Sequence, residues 1–305
     1  MLSSTCGSRQ RIRHPGPASE QRKSFVRGEV RSWTVCLPAG AMLMDAISQA
    51  LQGCEGGAVF LSIAGLRLRC GNYVLPAESP DAQHVAWYSA THAMGACRFV
   101  QGTVVVGRKD GKWSAHCHAL WQNAEGQQVL GHVLCDDACI AEPWEVVFHV
   151  FHGGGLHVAF DPETQFSLLT PSAQDVQLDR ANAVLMTLKP HEDVRSAVNE
   201  VCLALQIDSA KVMGVGSLIG AAFVEGPSMV SALSEMLLLP GAAVARGQCT
   251  TLPVACVNPE AVIYQGDLLT GQGPVLITCE LLLIETAAAL EQEFQRVKKK
   301  SALHH

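Results

Sequence analysis

Three histidines carry the strongest chemical signal in this sequence. Residues 113–134 read WSAHCHALWQNAEGQQVLGHVL and contain His116, His118 and His132. Residues two apart on a strand project to the same face. His116 and His118 therefore point together, with the small Cys117 on the opposite side. Residues 127–134 read as a second strand, entered through the turn-like Asn123-Ala124-Glu125-Gly126. In a hairpin, His132 returns toward the first pair. Three neutral imidazoles on one wall make a zinc or similar divalent-metal site, with a fourth position for water or substrate. His116, His118 and His132 are thus the expected metal ligands. Glu145 is the candidate acid/base or outer-sphere carboxylate, since such groups orient metal-bound histidines. Arg98 and Arg108 are candidates to steer an anionic substrate. His149, His152 and His157 lie near strand ends and are not assigned as ligands.

The elements that must position these groups follow from patterning. Residues 31–37 read as a strand, and apolar residues at Met42, Leu43, Ala46, Ile47, Ala50 and Leu51 have helical spacing. Residues 97–106 form a strand leading to the histidine hairpin. Residues 144–151 form another, with Val146, Phe148 and Val150 on one side and Glu145 and His149 on the other. A linker spans 170–179. Residues 184–188 then start again as a strand, Asp193 caps a helix over 194–205, and short strands continue to 285. A last amphipathic helix is expected over 286–300.

The two halves are related. Gly131-His132-Val133-Leu134 matches Gly266-Asp267-Leu268-Leu269, and Glu145-Val146-Val147 matches Glu280-Leu281-Leu282, both at an offset of 135 residues. The second half has no histidine between Glu192 and Leu303, and Asp267 stands where the first half has His132. A metal site is expected in the first half alone. The second half is expected to supply a sheet edge, a pocket wall or an oligomer contact. Glu280, sitting in a half without histidines, argues that Glu145 too is only a strand glutamate.

The 305 residues are 48% hydrophobic and 16% charged, enough to bury a large core. Twelve cysteines without a C-x-x-C pair read as reduced core thiols of a cytoplasmic protein. No signal peptide or membrane span is expected. Seven of the 22 basic residues lie in 1–31 and four in 296–300. Between them stand 11 basic and 26 acidic residues, a difference of −15. A body this acidic is poorly suited to a phosphate backbone, so nucleic acid is left to the basic arm, residues 1–30. Dinucleotide, P-loop and nucleophile-elbow motifs are absent.

The order of turn, helix, glycine loop, H-x-H, G-H-V-L and E-V-V resembles the PPC (plant and prokaryote conserved, PD1-like) domain. The resemblance covers 31–169, with a degenerate second copy over 184–285. His116, His118 and His132 fall on that family's histidine positions, while Asn123 stands where an aspartate is usual. The resemblance implies an α/β (α+β) fold of two tandem units, at 31–170 and 180–300. Each is a largely antiparallel sheet with one or two packed helices. It also implies trimer-like packing, hence a homo-oligomer. Plant relatives bind AT-rich DNA through an R-G-R-P hook that this sequence lacks. The fold and ligand spacing are also similar to those of acetolactate decarboxylase, a zinc enzyme. The expectation is a zinc-binding protein that binds or acts on a small carbonyl- or carboxylate-containing molecule. The alternatives are a DNA-associated regulator and a metal-stabilised structural module.

Overall fold

A computed structural model describes residues 12–286. The first unit runs β1 (Lys23–Leu37), α1 (Leu43–Ala50), β2 (Ala58–Ser62), β3 (Arg67–Val74), β4 (Pro76–Ala77), β5 (Trp87–Tyr88), β6 (His92–Ala93), β7 (Cys97–Lys109), β8 (Lys112–Gln122), β9 (Gln128–Ile140), β10 (Trp144–His152), β11 (Gly154–Phe160) and β12 (Ser167–Ala173). The second runs β13 (Ala183–Leu188), α2 (Val194–Leu205), β14 (Ser209–Leu218), β15 (Glu235–Leu238), β16 (Ala243–Ala245), β17 (Gln248–Thr251), β18 (Pro253–Val257), β19 (Ile263–Asp267) and β20 (Val275–Glu285).

The expected duplication is visible in the ladders. In the first unit the antiparallel order is β1-β10-β2-β7-β8-β9. In the second it is β13-β20-β14-β15-β18-β19. The registers agree to the residue: Cys36 faces Glu145 as Thr187 faces Glu280. His118 faces His132 as Pro253 faces Asp267. The 135-residue offset thus maps the histidines onto Thr251, Pro253 and Asp267.

Alternation along the strands builds four layers. In β8, Cys117, Ala119 and Trp121 join α1 in the first unit's own core. In β20, Cys279, Leu281 and Leu283 join α2 in the second unit's core. Each helix lays its apolar stripe on its sheet; Asp193 caps α2, its carboxylate accepting from the Ser196 amide at 2.9 Å. The opposite sheet faces meet each other. Phe60, Val105, Leu120 and Leu130 of the first unit share one core with Val215, Leu237, Ala255 and Leu282 of the second. The order is helix, sheet, sheet, helix, and the histidine face lies in the middle.

Two expectations change. Of the arm expected over 1–30, residues 1–11 lie outside the described residues, and from Lys23 onward it gives way to β1. Residues 23–28 pair with β13 and 29–37 with β10, so one long strand stitches the two sheets together. Its basic residues are drawn in by acidic partners: Arg22 by Glu163, Lys23 by Glu192 and Glu200, Arg27 by Glu285, and Arg31 by Glu29 and Asp179. The linker expected over 170–179 gives up its first residues to β12, which runs on to Ala173. The helix expected over 286–300 lies outside the described residues, except for Thr286. Among the described residues eleven cysteines are free, and no helix is long and apolar enough to cross a membrane.

Candidate metal centre

β8 and β9 do what the spacing requires. His116 and His118 share a face of β8, and His132 lies directly across from His118 on β9. The ligand-capable atoms of the three rings all lie within 4.8 Å of one another. His116 Nε2 and His118 Nε2 are 3.1 Å apart. Two nitrogens on a tetrahedral zinc would stand about 3.3 Å apart at ordinary bond lengths, so the rings are spaced to share an ion.

The second unit sets their proton positions. His118, fully buried, has Nδ1 2.8 Å from the Met236 carbonyl. A carbonyl only accepts, so Nδ1 donates and Nε2 presents its lone pair. His116 Nδ1 is 3.0 Å from Glu280 Oε2 and donates to that carboxylate, freeing its own Nε2. Beyond His118 Nε2, at 3.0 Å, sits Glu235 Oε2. Two acceptor atoms, His116 Nε2 and Glu235 Oε2, therefore face His118 Nε2. A single proton on His118 Nε2 can serve His116 or Glu235, but not both. His132 adds a buried Nδ1 with no hydrogen-bond partner. This donor set fits a divalent cation, and a ring N–H held by a carboxylate is the usual outer support of a metal-bound imidazole.

The electrostatics follow from burial. Burial lowers the His116 imidazole, but the Glu280 charge and hydrogen bond, with Glu235, outweigh it and leave the ring above its ordinary pKa. His132 has no such carboxylate. Burial, then the His116 and His118 charges, hold it well below its ordinary value, so it stays neutral. The Tyr88 ring stands edge-on to His132, with centroids 5.0 Å apart. Tyr88 is 43% exposed, yet the protein around its phenol, then the Glu235 and Glu280 charges, push its pKa up.

A cavity of about 280 Å³ opens beside the triad, with His116, His132, Glu235 and Glu280 among its lining. Its other walls are largely apolar, including Trp87, Phe166 and Leu169 from the first unit and Leu276 and Ile277 from the second. Lys109, Ser217 and Thr278 add polar groups.

Glu145 is not brought to the histidines. It is exposed on β10 opposite Cys36, outside the cavity wall. The second unit covers only part of the first unit's sheet, and Glu145 lies on the uncovered part. Its repeat mate Glu280 is the carboxylate that reaches the site. Arg108 stacks on the Trp113 indole, 3.3 Å from the ring centroid, and neither it nor Arg98 lines the cavity. His149 bonds Ser32 Oγ at 2.8 Å, and His157 is exposed. Sequence reasoning missed Glu235, Glu280 and Tyr88. One signal was available for Glu280: an acid in the middle of the apolar run VLITCELLLI has to find a partner if that strand is buried.

No family model and no curated protein matches the chain. Solved structures similar to it include a PPC protein. That protein, from Pyrococcus horikoshii, is 17% identical, covers 51% of this chain and 97% of its own, and has a TM-score of 0.38. A metal-containing protein from Archaeoglobus fulgidus is 22% identical over 47% of this chain and 97% of its own, with a TM-score of 0.39. A candidate DNA-binding protein from Ralstonia eutropha JMP134 is 17% identical over 45% of this chain and 88% of its own, with a TM-score of 0.35. Each spans about half of the chain, the length of one unit.

Proposed function

We propose that this chain is a tandem PPC-like protein in which His116, His118 and His132 hold a divalent metal, zinc by donor type. The adjoining cavity then takes a small molecule bearing a carbonyl or carboxylate group. The pair of acceptors set against His118 Nε2, His116 Nε2 at 3.1 Å and Glu235 Oε2 at 3.0 Å, carries the reading, because a cation relieves what one shared proton cannot. Bound there, the metal would polarise a ligand oxygen or lower the pKa of a water. Glu280 and the Met236 carbonyl keep two rings turned toward it. The apolar walls exclude water from the body of the ligand, and Lys109 offers a positive charge to a carboxylate. The reading includes a cytoplasmic setting, where thiols stay reduced, and assembly into homo-oligomers.

Ligand-observed NMR tests this reading, with short-chain carboxylates and 2-oxo acids as probes of the zinc-loaded and chelator-stripped protein. Binding that needs the zinc is the expected result. Equal binding in both states, or none, would remove the small-molecule half of the proposal.

Nucleic-acid association has less in its favour. Arg22, Lys23 and Arg27 of the arm, with Arg31 just beyond it, are all engaged by carboxylates. That spends the charge that phosphates would need.

A further inference from the structure

We propose that Glu235 of the second unit is a direct ligand of the metal. The site is then closed across the two units and is not the property of the first unit's hairpin. This inference rests on the histidine-metal reading above and extends it to a residue from the other half of the chain.

The geometry singles out Glu235. Residues 235 and 236, at the start of β15, bracket His118. The Met236 carbonyl fixes the proton on Nδ1, and the Glu235 carboxylate stands 3.0 Å from Nε2 on the far side of the ring. Oxygen and nitrogen that share an ion at about 2.0–2.2 Å stand roughly this far apart. Glu235 is only 8% exposed, and a carboxylate withdrawn this far from water needs a cation beside it. Its ion-pair partner among the described residues is His118, whose Nδ1 proton is already committed to Met236. Glu280 has a different part. Its Oε2 is held by His116 Nδ1, on the outer side of that ring, so it positions a ligand without being one.

The repeat explains why the arrangement occurs once. In the second unit the matching positions are Thr251, Pro253 and Asp267. Asp267 is held by Arg195 and by the Leu252 amide, so no second triad exists there. The described residues carry one such site, with imidazoles from one half and a carboxylate from the other. Metal binding therefore ties the two sheets together across their shared core.

The test uses the full chain with zinc alone as probe, in competition with a chromophoric chelator. Cobalt-substituted protein provides the spectroscopic readout. Wild type is expected to take up one equivalent. Glu235→Gln should lose about 10–100-fold in affinity, at least what an outer partner is worth, and should change the visible cobalt bands. Its melting temperature in chelator should stay close to wild type, which separates ligand loss from misfolding. One zinc bound by wild type with unchanged affinity and unchanged cobalt bands in Glu235→Gln would overturn the assignment of Glu235 and leave the histidine reading standing. No zinc held by wild type against the chelator would overturn both.

Discussion

His118→Ala should abolish tight metal binding, lowering zinc affinity by more than the roughly 10–100-fold that loss of an outer partner costs. His118 is the one imidazole of the three with no exposed surface. It makes contact with the second unit through both ring nitrogens, at Met236 and at Glu235. Removing it deletes a ligand and leaves the Met236 carbonyl without its side-chain donor. An unpaired buried polar group costs about 1–3 kcal/mol, so the metal-free protein should also be less stable by that order. The two effects separate in one experiment: thermal melts of wild type and variant, each with zinc and with chelator. The difference should be of that order in chelator and should widen with zinc, because a metal bound only by the native state adds stability by mass action. An equal difference in both conditions would mean that His118 is a packing residue.

Phe60→Ala should be the most destabilising substitution on the site's supporting row, costing about 3–5 kcal/mol by urea unfolding. Phe60 is fully buried in the core between the two sheets. It also sits in a cross-strand row: Phe60 pairs with Val105, and Val105 with His116. Side chains along such a row pack on one another, so a hole at Phe60 removes support from Val105, the neighbour of the first imidazole. Zinc affinity should fall as well, by less than in His118→Ala. A cost below about 1 kcal/mol would show that the two sheets do not depend on this shared core.

Much of this was readable from residue types. The H-x-H spacing put two imidazoles on one face, and the turn at residues 123–126 returned the third. The helix over 194–205 and its Asp193 cap appear where patterning put them. The repeat offset survives as ladder register. What could not be read was which surface of one unit would meet which surface of the other. Glu145 and Glu280 occupy matching positions on matching strands, and no local pattern separates them. Their difference is made by docking: one face is covered by the histidine sheet and the other is left open. β1 was misjudged for a related reason. Residues 23–30 carry basic side chains that suit a solvated arm, and only the acidic partners from distant segments make a strand the better place for them.

The most direct measurement is metal analysis of the purified protein, by mass spectrometry of the intact native chain and by elemental assay. The account predicts one divalent ion per chain in wild type and none in His116→Ala at the same protein concentration. Wild type that carries no ion even after incubation with zinc, or His116→Ala that retains a full equivalent, would contradict it.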